Sequence, residues 1–161
     1  MMDIEKFKDR LSFDPDAGVF VWKKPRKGIC VGAIAGSKND KGYVVIRLDG
    51  AIVKAHRLAW AMHYGEIPKG HLDHVDRDRS NNRISNLRLA TASQNRMNAP
   101  ARKSASGVKG VTWKSREQRW CVQVGVAGKR IYGGMFTDLD EARAVAERLI
   151  NETHKEFAAV L

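Results

Sequence analysis

Residues 71–95 read HLDHVDRDRSNNRISNLRLATASQN, a run dense in histidine, aspartate and asparagine with little apolar filler. Amides and imidazoles make poor core material, so such a run is either a solvated loop or the holder of something charged. Four of its residues form a set with a definite chemistry. His74 is a candidate general base near neutral pH, able to take a proton from a water that attacks a phosphodiester. Asp73 and Asn95 bring a carboxylate and an amide carbonyl, hard oxygen donors of the kind Mg²⁺ takes while keeping several waters, and are the candidate metal ligands. Asn86 is placed to tie a long loop down through side-chain hydrogen bonds to backbone.

Two further histidines stand nearby. His71 and His74 make an H-x-x-H pair, but two more ligands at suitable spacing are missing and no zinc is expected. His71 is therefore read as flanking the site or touching phosphate. His56, just ahead of a helical run, is read as a packed structural histidine, with contact to DNA or to the site as the alternative.

These residues need elements to hold them. HLDHV reads as a short strand, DRDRSNNRIS as a loop, NLRLAT as a second strand and ASQNRMN as a short helix. That order would carry Asp73 and His74 on the first strand and Asn95 on the helix. Adjacent strand residues point to opposite faces, so Asp73 and His74 can share one phosphate only if the strand bends or ends there.

Before this stretch, MMDIEKFKDRLSF opens with a helical candidate, and GVFVW and GYVVIRL are strand-like runs between turn signals. From the DG turn, AIVKAHRLAWAMHYGEIP is read as passing into a helix, with Leu58, Ala59, Met62 and His63 at helical spacing and Pro68 ending it. After it, NAPARKSASG reads as a linker. The last segment offers three strands, GVKGVTWK, RWCVQVGV and KRIYGGMF, with a hairpin turn in GVAGKR. A helix follows from TDLDEARAVAERLINE, with Asp138 and Glu141 as a capping pair and an apolar stripe of Ala142, Val145, Ala146 and Leu149.

The chain has 161 residues with 29 Lys and Arg against 18 Asp and Glu, a formal net charge of +11. An excess of that size marks a binder of polyanions, a ribosome-like surface or plain solubility being the bland alternatives. Cys30 and Cys121 are far apart and without partner motifs, which points to a reducing compartment rather than a disulfide scaffold. The charged N-terminus has no apolar signal core, and no apolar run approaches the roughly 20 residues that span a bilayer. A cytoplasmic protein is expected, nucleoid-associated or in a host cell if phage-encoded, with no membrane and no obligate protein partner.

At LDHVDRDRSNNRISNLRLATASQN the sequence resembles the signature of HNH endonucleases, particularly the phage and intron-encoded homing-type branch, and the likeness extends over roughly residues 10–98. The resemblance implies a ββα-metal finger at about 70–98. In it His74 is the base, Asp73 a metal ligand, Asn86 the loop-pinning asparagine, and Asn95 the third signature position and second metal oxygen. Mg²⁺ is the expected cofactor, chosen for its preference for oxygen ligands and its abundance, with Mn²⁺ as another divalent choice. Paired zinc-binding cysteines, present in many members, are absent, so packing alone must hold the finger.

The segment SGVKGVTWKSREQRWCVQVGVAGKRIYGGMFTDLDEARAVAERL resembles the AP2 domain, a three-stranded sheet with one helix that lies in the DNA major groove. The matching positions hold Lys109, Trp113, Gln123, Arg130 and Tyr132, and Trp120 matches an aromatic expected in the core. Ser106, Val111 and Gly125 stand where plant members carry arginine, so the target sequence does not carry over.

The expected class is α+β. An HNH nuclease region covers 1–98, a linker 99–105, and an AP2-like DNA-binding domain 106–161. The expected activity is metal-dependent endonucleolytic cleavage of double-stranded DNA, nicking one strand per active site. The rivals are a non-catalytic DNA-binding regulator with an HNH-like fold, and an RNA-binding or RNA-cleaving protein.

Overall fold

A computed structural model describes residues 4–26, 28–99 and 104–158. The chain divides into two compact units, 1–90 and 91–161. This division falls ahead of the expected linker at 99–105, of which 100–103 lie outside the described residues. Among the described residues there are four α-helices and four small antiparallel sheets, a mixed α/β architecture.

The first unit begins with α1 (Ile4–Arg10), which buries Phe7, and a hairpin of β1 (Leu11–Asp14) and β2 (Val19–Trp22). Alternation puts Leu11, Phe20 and Trp22 inside. The Asp14 carboxylate accepts the backbone N–H groups of Asp16 and Ala17 to close the turn. A second sheet has the order β3 (Ser37–Lys38), β4 (Val44–Leu48), β5 (Ala51–Lys54). The strand β5 was not read from the sequence, where the DG turn was taken straight into a helix. Asp49 and Gly50 both take positive φ and make a hairpin, so the chain pairs back along β4 before α2 (Ala55–Tyr64) begins. The helix ends at Gly65, not at Pro68: Gly65 adopts the left-handed conformation and its N–H donates to Ala61 O. The core joins these parts, with Phe20, Ile46, Leu58 and Ala59 fully enclosed.

On this base stands the hairpin of β6 (His71–His74) and β7 (Leu87–Ala90), whose Leu72 and Leu87 enter the same core. Arg57 of α2 donates to the carbonyls of Pro68 and Gly70 and so clamps the chain just before β6.

The second unit begins with α3 (Ala92–Asn98). Thr91 and Gln94 cap it reciprocally, each side chain meeting the other's backbone N–H. Three strands follow as an antiparallel meander, β8 (Val111–Lys114), β9 (Arg119–Val126) and β10 (Lys129–Phe136). The helix α4 (Leu139–His154) packs Ala142 and Ala146 against Val111 and Val122, and Asp138 caps it by accepting the Glu141 N–H at 2.9 Å. Gly133 allows the close approach, since a Cβ there would stand 2.8 Å from a Leu149 methyl.

Candidate active site

β6 ends at His74, so the strand stops where the alternation rule would separate Asp73 from His74. Leu72, Asp73 and His74 are all buried, which places this short strand under cover on both faces. His71 opens β6 opposite Ala90 and is exposed. Three positions apart on a strand, His71 and His74 point to opposite faces and do not form a ligand pair.

Asp73 sits across the ladder from Arg88. Arg88 donates to Asp73 Oδ2 through Nε at 2.9 Å and through its terminal nitrogen at 2.8 Å. Arg88 had no place in the sequence reading, because only the hairpin register sets it opposite Asp73.

The loop between β6 and β7 is held by its own side chains. Asn86 Oδ1 accepts the Asp76 N–H at 3.0 Å, and Asn86 Nδ2 donates to Asp76 Oδ1 and to Asn81 O, each at 2.9 Å. Asp76 also accepts from Asn81 Nδ2 and from the Asp78 N–H. Burial pushes the Asp76 carboxyl up, but the bonds from Asn81, Asn86 and the Asp78 backbone outweigh it and hold the pKa below the usual range. Asp76 is thus a second hub of the loop that sequence reasoning did not single out. From outside, Arg79 donates to Lys41 O, and Ile84 N–H to Pro15 O.

His74 is 5% exposed and His56, at the start of α2, is equally buried. Their rings meet edge to face with centroids 5.1 Å apart. Tyr43 completes the cluster, 5.3 Å from the His56 ring and 6.1 Å from that of His74. Burial lowers the pKa of His74, opposed by its side-chain interaction with Asn82, which favours the protonated ring, and by the charges of Asp76, Asp73 and Asp78. His56 is pushed down to about 3, mainly by burial and also by His74, Lys54 and Arg57. Both imidazoles are therefore neutral at pH 7, the form a base requires.

Asn95 lies on α3, in the second unit. In the three-stranded sheet, Gln123, Arg130 and Tyr132 are exposed on the face away from α4, with Gln123 paired across to Tyr132. Trp113 shares the other face with Val111 and packs on Trp120, ring centroids 4.8 Å apart. Lys109 donates its ammonium to the carbonyls of Arg96, Met97 and Ala99 at the end of α3. Ser106 is buried and donates to Val111 O. A cleft of about 630 Å³ in this unit is lined by Arg96, Lys109, Lys129 and Arg130 among others.

Among the described residues, no three His, Cys, Asp or Glu side chains gather closely enough to hold a metal, and no helix is long and apolar enough to cross a membrane. The donors assigned from the sequence are of a different kind. A carboxylate and an amide oxygen suit Mg²⁺ or Mn²⁺ and lack the thiolates and imidazoles of a structural zinc site.

Residues 53–97, from the end of β5 through α3, match the family described as HNH endonuclease. Protein 3.8 of Escherichia phage T7 is 36% identical over 107 residues, covering 65% of this chain and 88% of that protein. A solved structure of DNA binding and cleavage by the HNH homing endonuclease I-HmuI aligns over 56% of this chain at 25% identity with a TM-score of 0.41. The chain spans about half, 51%, of that protein's length. The chain belongs to the family of the phage T7 protein 3.8, and its β5-to-α3 segment is similar to HNH endonucleases.

Proposed function

We propose that the protein is a metal-dependent DNA endonuclease whose general base is His74. The observation that carries this reading is the buried, neutral imidazole at the end of β6, adjacent to Asp73 and inside the HNH-matching segment. His74 takes a proton from water, the resulting hydroxide forms a bond to phosphorus, and the bond from phosphorus to the 3′-oxygen breaks as that oxygen gains a proton. By the HNH resemblance, Asp73 would hold the divalent ion, Mg²⁺ or Mn²⁺, with Asn95 as the second oxygen donor that the signature implies; the ion would supply charge stabilisation for the pentavalent phosphorus and the leaving oxygen. Arg88 orients the Asp73 carboxylate by its two bonds to Oδ2, and Asn86 keeps the intervening loop in place. One such site nicks one strand.

The sheet of the second unit is the proposed DNA-binding part, in the manner of an AP2 domain. Gln123, Arg130 and Tyr132 form its solvent face, and the neighbouring cations neutralise phosphates. Trp113 and Lys109 support the unit, the first by packing on Trp120 and the second by capping α3. Double-stranded DNA is the substrate this combination fits.

The test is conversion of supercoiled plasmid, and of a large phage genome, to nicked and linear forms with Mg²⁺, with Mn²⁺, with EDTA and with His74→Ala. Metal-dependent nicking that the substitution abolishes is the expected result. A clear gel shift without cleavage of either DNA would replace the nuclease by a DNA-binding protein, and cleavage that survives His74→Ala would assign the base elsewhere.

A further inference from the structure

The HNH reading uses His74, Asp73, Asn86 and Asn95 and leaves His56 without a task. His56 is 5% exposed, and its Nδ1 is a buried atom that makes no hydrogen bond. What the ring does touch is informative. It meets the His74 ring nearly perpendicular, at an interplanar angle of 75°, and lies tilted against Tyr43. Tyr43 is itself immobilised. Lys54 Nζ stands 4.7 Å from its ring and the Arg79 guanidinium 5.0 Å, while Asn39 accepts its backbone N–H. The next residue on α2, Arg57, clamps the carbonyls of Pro68 and Gly70 that lead into β6. The first turn of α2 therefore holds β6 at both ends, its backbone at the start and its last side chain at the finish.

We propose that His56 is a positioning residue for the imidazole of His74. Its ring, backed by Tyr43, restricts the His74 side chain to one orientation, so that the proton-accepting nitrogen is already aimed when DNA and water arrive. The contact works through ring shape. With its pKa near 3, His56 carries no charge at neutral pH with which to act on His74. The proposal rests on the reading of His74 as the base, and its test separates the two.

His56→Leu keeps an apolar side chain of similar bulk without a flat ring, and His56→Phe keeps the ring without nitrogens; neither leaves a buried polar atom unpaired. The plasmid-nicking assay gives kcat and KM for both beside the wild type and His74→Ala. His56→Phe is expected to stay within about threefold of the wild-type kcat, and His56→Leu to fall by about ten- to a hundredfold with KM within about twofold, the pattern of a misaimed base. If His56→Leu keeps the wild-type kcat, positioning is refuted while the nuclease reading stands. A rise in KM at constant kcat in both variants would make His56 a DNA contact instead. An equal loss of kcat in both would mean that the nitrogens matter and the ring does not.

The second measurement needs no turnover. The His74 ring resonances, identified by their loss in His74→Ala, should remain sharp and dispersed in His56→Phe and broaden or average in His56→Leu. Unchanged resonances in His56→Leu would overturn the proposal even if the wild type proved to cut no DNA.

Discussion

His56 illustrates how burial of one side chain becomes a property of the fold. In the unfolded chain it takes up a proton as pH falls through 6.5, while in the folded chain it does so only near 3. Between these values the unfolded chain binds more protons, so stability is full above 6.5 and is lost progressively as pH falls toward 3. The charged groups that act on it, His74, Lys54 and Arg57, all oppose its protonation. Lowering the pH from about 7 to about 4 should therefore depress the thermal midpoint, and His56→Phe, which has no proton to bind, should flatten that dependence. His74 and His154 titrate in the same direction, so the slope is reduced and not removed. Identical slopes in the two proteins would show that His56 protonates as readily folded as unfolded.

Among the elements, the β1–β2 turn has a function that its sequence does not advertise. Gly18, at φ +72°, lies against the backbone of the loop that precedes β7, and a Cβ built there would stand 2.4 Å from Arg83 N and 2.7 Å from Asn82 C. Backbone atoms cannot swing aside as a flexible side chain can. Gly18→Ala should thus cost about 1–3 kcal/mol in strain and displacement. It should also loosen Asn82, the residue beside His74. Urea denaturation checks the first expectation; an unchanged midpoint would mean that the turn does not buttress the loop. Asn86 pins the same loop from within, and Arg79 and Ile84 fasten it to β3–β4 and β1–β2. A segment rich in polar residues is thereby held by hydrogen bonds from within and from two neighbouring turns.

For the molecule as a whole the governing quantity is the charge of +11. DNA binding by such a chain should weaken steeply with salt, because each phosphate neutralised releases condensed counterions. Arg130 belongs to the exposed sheet face of the second unit. Arg130→Ala should lower affinity for all sequences and reduce the slope of log K against log salt by about 1 if it meets a phosphate. A loss confined to one sequence, at constant slope, would assign Arg130 to a base edge; no change in either would remove it from the interface.

Much of this organisation was legible along the chain. The β6–loop–β7–α3 order, the three strands with a following helix and the Asp138 cap rest on local signals, namely alternation, turn residues and capping side chains, which act over a few residues. The proposed set Asp73, His74, Asn86 and Asn95 rests on a signal of the same local kind, four polar residues within one short run. Local signals also misled, since a helix-forming pattern in AIVKAHRLAW concealed β5, whose residues pair with β4 instead. Gly65 likewise ended α2 before Pro68 was reached. What no local pattern contains are the contacts between distant segments: Arg88 set opposite Asp73 by the ladder register, Gly18 under the loop of Asn82, and the ring of His56 against that of His74. Lys109 and Trp113 belong here too, since the carbonyl capping by the one and the pairing of the other with Trp120 are contacts that residue type does not announce. Residue type and spacing declare which chemistry a chain can do. Which groups actually touch depends on the burial and pairing of segments far apart in sequence, and those exist only once the core has formed.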